Sequence, residues 1–139
     1  MIRVFNNGGK YRFNKNETIF ITKHVIKYES SKEVEINIVF TGDKFIRKLN
    51  TIFLKHKWVT DVISFPLSDN KQIEGEIYIN LEQSRRQAKE YKCTFKSETQ
   101  RLIIHGVLHL IGYKDVTQRT KKRMSALEDK YLDKICKNN

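Results

Sequence analysis

The run 104–115, Ile-His-Gly-Val-Leu-His-Leu-Ile-Gly-Tyr-Lys-Asp, constrains this chain more than any other stretch. With Leu102 and Ile103 before it, the run predicts a helix that is apolar almost all round, and such a helix is buried at the centre of a domain. His105 and His109 interrupt it four residues apart, so they lie one above the other on the same stripe. A buried imidazole needs partners. Gly112 can end the helix. Asp115 follows three residues later, far enough for the chain to swing a carboxylate back towards both rings. The spacing H-x3-H-x5-D offers two neutral imidazoles and one carboxylate. That is a three-ligand site for a divalent metal, with a fourth position open to water.

The rest of the chain fits one domain, residues 1–139, with a single core. No apolar run approaches the ~20 residues of a membrane span. The first five residues lack a signal-peptide layout, which points to the cytoplasm. Cys93 and Cys136 have no C-x-x-C spacing and read as reduced thiols. The net charge of +11 favours a polyanionic partner. The basic residues are spread along the chain without an amphipathic anchor, so nucleic acid fits better than membrane.

Alternating patterns predict strands at 2–5, 33–40, 60–66 and 75–80, with 10–13 as a further short strand after the turn 6–9. A helix over 17–29 has Ile19, Phe20, Val25 and Ile26 on its inner face, with Ile21 broadening it and His24 at the surface or rim. A second helix runs from Asp43 to about residue 53, capped by Thr41 or Asp43, with Phe45, Ile46, Leu49 and Ile52 or Phe53 facing inward. A basic helix follows over 82–91, with Ala88 and Tyr91 inward. Ser97 is the expected cap of the histidine helix. Thr117 caps a last helix whose stripe is Met124, Leu127, Tyr131, Leu132 and Ile135. The expected fold class is α+β: a mixed four-stranded sheet with about five helices, the histidine helix central and packed on the sheet. The last two strands should pair antiparallel, and the strand-helix-strand unit before them should be parallel and right-handed.

The same residues carry a resemblance. His-Gly-x-Leu-His-Leu-x-Gly-Tyr, with a third ligand ten residues after the first His, resembles the signature of the YbeY family of bacterial rRNA-maturation endoribonucleases. Leu49-Asn50, a basic loop and Thr60-Asp61-Val62-Ile63-Ser64-Phe65-Pro66 resemble a second signature of that family, and Gly75-Glu76-Ile77-Tyr78-Ile79 a third. The family usually has a third His where this chain has Asp115, and carboxylate is also a zinc ligand. It typically has an Arg where this chain has Leu54, so Lys55 or Lys57 would take over a phosphate contact there. The resemblance implies a zinc-dependent enzyme, one ion per chain, with another divalent transition metal as the alternative. It also implies cleavage of single-stranded RNA in 16S rRNA 3′-end maturation and ribosome quality control, and contact with the small ribosomal subunit.

Lys55, Lys57, Arg85 and Lys89 are the candidate RNA contacts. His56 is a candidate fourth ligand or proton carrier, though an exposed loop residue fits it better. No general base can be named, and Asp61 is a guess for a helper. Two other functions compete. The layout is metzincin-like, similar to H-E-x-x-H-x-x-G-x-x-H, but Gly106 stands where those proteases keep their general-base Glu. An RNA-binding assembly factor with a structural metal is the other alternative. Structural zinc sites are usually closed by four Cys-rich ligands, which this run lacks.

Overall fold

The structure is a computed structural model, and it describes residues 1–55, 58–67 and 71–138. Its elements run β1 (Ile2–Asn6), α1 (Lys15–Glu29), β2 (Val34–Thr41), α2 (Asp43–Leu49), a π-helical turn (Asn50–Leu54), β3 (Val62–Pro66), β4 (Ile73–Asn80), α3 (Leu81–Glu90), α4 (Phe95–Ile111) and α5 (Gln118–Asn138). The four strands form one mixed sheet in the order β1-β2-β4-β3. β1 and β2 are parallel, as the strand-helix-strand reading expects, and β2 and β4 are parallel too. β3 runs antiparallel to β4 along the sheet edge, with Ser64 opposite Ile77. The expected α+β architecture is present.

The pattern of α4 decides the layering. A helix with no polar face can be satisfied only by neighbours on most sides. The sheet, α1, α3 and α5 all contact α4. Leu102, Ile103, Ile104, Val107 and Leu108 are buried there with Ile36, Ile38, Phe40, Ile77 and Ile79 from the sheet. Gly106 lets the helix come this close: a Cβ on it would meet Ile77 Cγ2 at 2.6 Å. Gly112 ends α4 with φ +124°, a conformation that favours glycine.

Several local expectations change. Residues 10–13 do not form a strand. The Asn6 carboxamide takes the place of a strand partner, donating to Phe13 O at 3.0 Å and accepting from Phe13 N at 2.9 Å. Gly42, not Thr41 or Asp43, caps α2. Of the stripe expected on that helix only Ile46 is buried, and Phe45, Ile52 and Phe53 are exposed. Phe45 and Phe53 still lie on the sheet, with ring centres 5.9 Å from Tyr78 and 5.4 Å from Phe65, but on a face that leaves them exposed. Buried Asn50 anchors the π-helical turn by donating to Trp58 O at 2.8 Å. Phe20 is exposed on α1, while Ile21, Val25 and Ile26 take the core positions. Tyr91 is exposed and Ala88 buried. Thr94, not Ser97, caps α4, its hydroxyl accepting from Ser97 N at 3.0 Å. Thr117 does cap α5, accepting from Thr120 N at 3.1 Å. Met124, Tyr131 and Ile135 are buried on its inner stripe, with Leu127 and Leu132 partly so.

Candidate metal centre

α4 places His105 and His109 on consecutive turns of one stripe, next to the groove between α4 and α5. Their Nε2 atoms are 3.0 Å apart. The turn after Gly112 returns Asp115, with Oδ2 at 3.5 Å from His105 Nε2 and Oδ1 at 3.5 Å from His109 Nε2. Donors held 2.0–2.2 Å from a tetrahedral ion lie about 3.3–3.6 Å apart. The two His–Asp separations fall in that range, and the two imidazoles are slightly closer, so the cluster has the size for a small divalent cation. Among the described residues this trio is the one group of three His, Cys, Asp or Glu side chains placed to hold a metal. Cys93 and Cys136 are free and take no part.

The electrostatics prepare both imidazoles. Glu128, buried on α5, puts Oε2 2.7 Å from His105 Nδ1. A carboxylate there holds the proton on Nδ1 and leaves Nε2 with its lone pair towards Asp115. Burial, with His105 nearby, pushes the His109 pKa below its ordinary value, which favours the neutral ring. Glu128 is held in turn by Arg101, whose Nη1 donates to Oε1 at 2.9 Å, while Arg101 Nη2 donates to Glu98 Oε2 at 2.6 Å. Gln87 extends the chain, donating to Glu98 Oε2 at 2.7 Å and to Asp61 Oδ2 at 3.2 Å. Sequence reading missed Glu128. The signal was there as an acid on the inner stripe of α5, one turn after Met124, but nothing in the sequence says which helix it faces.

The turn carrying Asp115 has its own support. Tyr113 donates to Glu29 Oε1 at 2.6 Å, and Tyr131 donates to the other oxygen of the same carboxylate. The Arg123 guanidinium lies 5.2 Å from the centre of the Tyr113 ring.

The other sequence candidates scatter. Asp61 accepts from Val62 N at 2.7 Å and from Gln87, near Glu98. That places it about 10 Å up α4 from His105. Lys55 is exposed at the end of the π-helical turn, in a left-handed conformation with φ 55°. Lys57 and His56 lie outside the described residues. Arg85 and Lys89 are exposed on α3, at the far end of α4 from the histidines. His24 packs among Phe20, Tyr28 and Tyr131 and joins no ligand cluster among the described residues.

The family question is decided by the match of a family model. The model described as Endoribonuclease YbeY matches residues 4–136. The chain belongs to the YbeY endoribonuclease family. Endoribonuclease YbeY of Chloroherpeton thalassium is 44% identical over 108 residues, 78% of this chain and 77% of that protein. Endoribonuclease YbeY of Flavobacterium psychrophilum is 40% identical over 120 residues, 85% of this chain and 86% of that protein. The solution structure of a Thermotoga maritima protein superposes with a TM-score of 0.69 at 29% identity, covering 97% of this chain and 89% of that one.

The YbeY-like Gly between the histidines also separates this site from the protease pattern it resembles. Gly106 sits against Ile77 with Ser64 donating to its carbonyl at 3.3 Å, so there is no room for a glutamate side chain there. We expect Gly106→Ala to destabilise the protein by about 1–2 kcal/mol, overpacking outweighing the ~1 kcal/mol that Ala gains over Gly in a helix. Chemical denaturation checks this. A variant as stable as the parent would show that α4 can back away from the sheet.

Proposed function

We propose that this chain is a metal-dependent endoribonuclease of one domain, residues 1–139, cutting single-stranded RNA in 16S rRNA 3′-end maturation and ribosome quality control. The observation that carries the reading is the convergence of His105, His109 and Asp115 in a chain of an endoribonuclease family. These three residues would hold one ion. Two imidazoles and a carboxylate suit zinc, with another divalent transition metal as the alternative. When bound, such an ion supplies Lewis acidity, making a water more acidic or polarising a phosphate oxygen.

The chain's own residues do the rest. Glu128 keeps the His105 proton on Nδ1, and burial favours the neutral His109 ring. Asp115, partly exposed at the end of its turn, brings the negative charge that offsets the ion's. The charge of +11 draws the polyanion to the surface. The site of action is the cytoplasm, and the small ribosomal subunit is the partner that presents the RNA. No helix among the described residues is long and apolar enough to cross a membrane.

Chelation tests the reading. Stripping the metal should abolish RNA cleavage, and adding zinc back should restore it. Cleavage that persists in chelator would remove the ion from the mechanism. RNA binding should weaken with salt, with a log–log slope of about −0.7 for each phosphate contacted. A flat response would mean that the basic surface has little to do with RNA.

A further inference from the structure

α4 has two ends, and the histidines occupy only one. At the other end, Phe95 packs against Tyr11 with ring centres 5.9 Å apart. The Arg85 guanidinium lies 5.0 Å from the Tyr11 ring and 6.0 Å from the Phe95 ring. A cleft of about 200 Å³ opens there, lined by Lys10, Tyr11, Glu82, Arg85, Arg86 and Lys89. A neighbouring cleft of about 380 Å³ adds Lys44 and Lys48 beside the backbone of Gly8, Gly9 and Gly42, and Glu82 lines both.

The charges along this rim are unbalanced. Arg86 is engaged by Asp43 at 2.7 Å. Lys10, Lys44, Lys48, Arg85 and Lys89 have no ion pair among the described residues. Glu82 is the one carboxylate lining either cleft, and it is seated over Gly42, where any side chain would collide with it. Arg85 is clamped over two rings, so its fork is ordered before any ligand arrives.

The rim also lies where a mostly parallel sheet binds ligands. β1, β2 and β4 end at Asn6, Thr41 and Asn80, beside Asn7, Gly42 and Leu81. Crevices outside the carboxyl ends of such strands are the usual ligand sites of open α/β sheets. His109 is at the opposite edge, beside Pro66 and the first residues of β4. Along α4 the rim is about 15–21 Å from the two histidines.

We propose that this rim is a second RNA-binding site, which grips the sugar–phosphate backbone of a segment other than the one cut. The proposal rests on the RNA reading given above. The smaller cleft, with four cations and one carboxylate, suits phosphates. The larger is more apolar, with Phe45 between Lys44 and Lys48, but Phe45 is exposed, whereas a protein partner needs apolar anchors that it can bury. Such contacts supply affinity without reading sequence.

The test is fluorescence anisotropy of a labelled single-stranded RNA, made in a His109→Ala background so that binding is read without cleavage. Lys10→Ala/Arg85→Ala/Lys89→Ala should lower the salt slope by about 2 and weaken binding at least ~10-fold at 0.1 M salt. Lys10→Glu/Lys89→Glu leaves the Arg85 stacking in place and should weaken binding as much. Lys23→Ala/Lys27→Ala/Lys134→Ala removes equal charge from α1 and α5, and should change the slope by less than half that amount. Equal losses from the rim and control triples would assign the affinity to net charge and overturn the site, as would no loss from either rim variant. Displacement of the RNA by polyglutamate at equal charge concentration would also overturn it, in favour of an acidic protein partner. Cleavage assays with His109 restored keep the two readings apart. RNA held at the rim but never cut would discard the endonuclease and keep the site. Normal cutting with unchanged affinity would discard the site alone.

Discussion

Purified with zinc, His109→Ala is expected to lose metal affinity by more than ~100-fold, since removal of a ligand exceeds the 10–100-fold typical of an outer partner. His105→Ala and Asp115→Ala should behave alike, because one donor atom from each of the three residues lies within 4.8 Å of the others and none has a substitute among the described residues. Metal analysis of the purified variants reads this directly. Full occupancy in Asp115→Ala would remove that residue from the site. The pH dependence has a definite sign. A ligand imidazole must be neutral, and burial holds the His109 pKa below its ordinary 6.5. Half-protonation of His109 therefore falls below pH 6.5, and its competition with the metal should grow on acidification past that pH. Release already complete above pH 6.5 would contradict the buried, neutral His109.

Glu128→Ala is the variant expected to cost the fold most. Its carboxylate is almost fully buried and answers both Arg101 and His105. Removing one partner of a buried pair leaves the other charge unsatisfied, at about 3–5 kcal/mol. Arg101 keeps Glu98 and some solvent exposure, which argues for the lower end. Glu128→Gln separates the two roles. It preserves the shape but loses the charge that fixes the His105 proton. Metal affinity should drop ~10–100-fold while most of the stability remains. Unchanged affinity in a folded Glu128→Gln protein would make Glu128 a purely structural residue.

The clustering of His105, His109 and Asp115 and the four strands were legible because each is a local pattern. H-x3-H on an apolar helix fixes two donors by helical geometry alone, and period-2 alternation marks 33–40 and 75–80 as strands. What the sequence hid depends on contacts between distant segments. Glu128 meets His105 across 23 residues and looks in sequence like any acid on a charged helix. Residues 10–13 have strand composition, yet Asn6 satisfies the Phe13 backbone without a ladder. The stripe from Phe45 to Phe53 reads as the buried face of one helix, but Phe45 and Phe53 pack on Tyr78 and Phe65 of the sheet and stay exposed on that face, and the helix turns π-helical at Asn50. The Gly between the histidines is the reverse case. A lone sequence shows only a missing glutamate, and the structure gives its cause in the contact with Ile77.

Cleavage of RNA by the His105, His109 and Asp115 cluster is open to a direct test. The direct measurement is cleavage of a labelled single-stranded rRNA fragment by the metal-loaded protein, against His109→Ala purified identically, with and without small ribosomal subunits. Discrete cleavage by the parent protein and none by the variant is expected. Equal cleavage by both, or none by either even with subunits present, would overturn the assignment of the chemistry to this cluster.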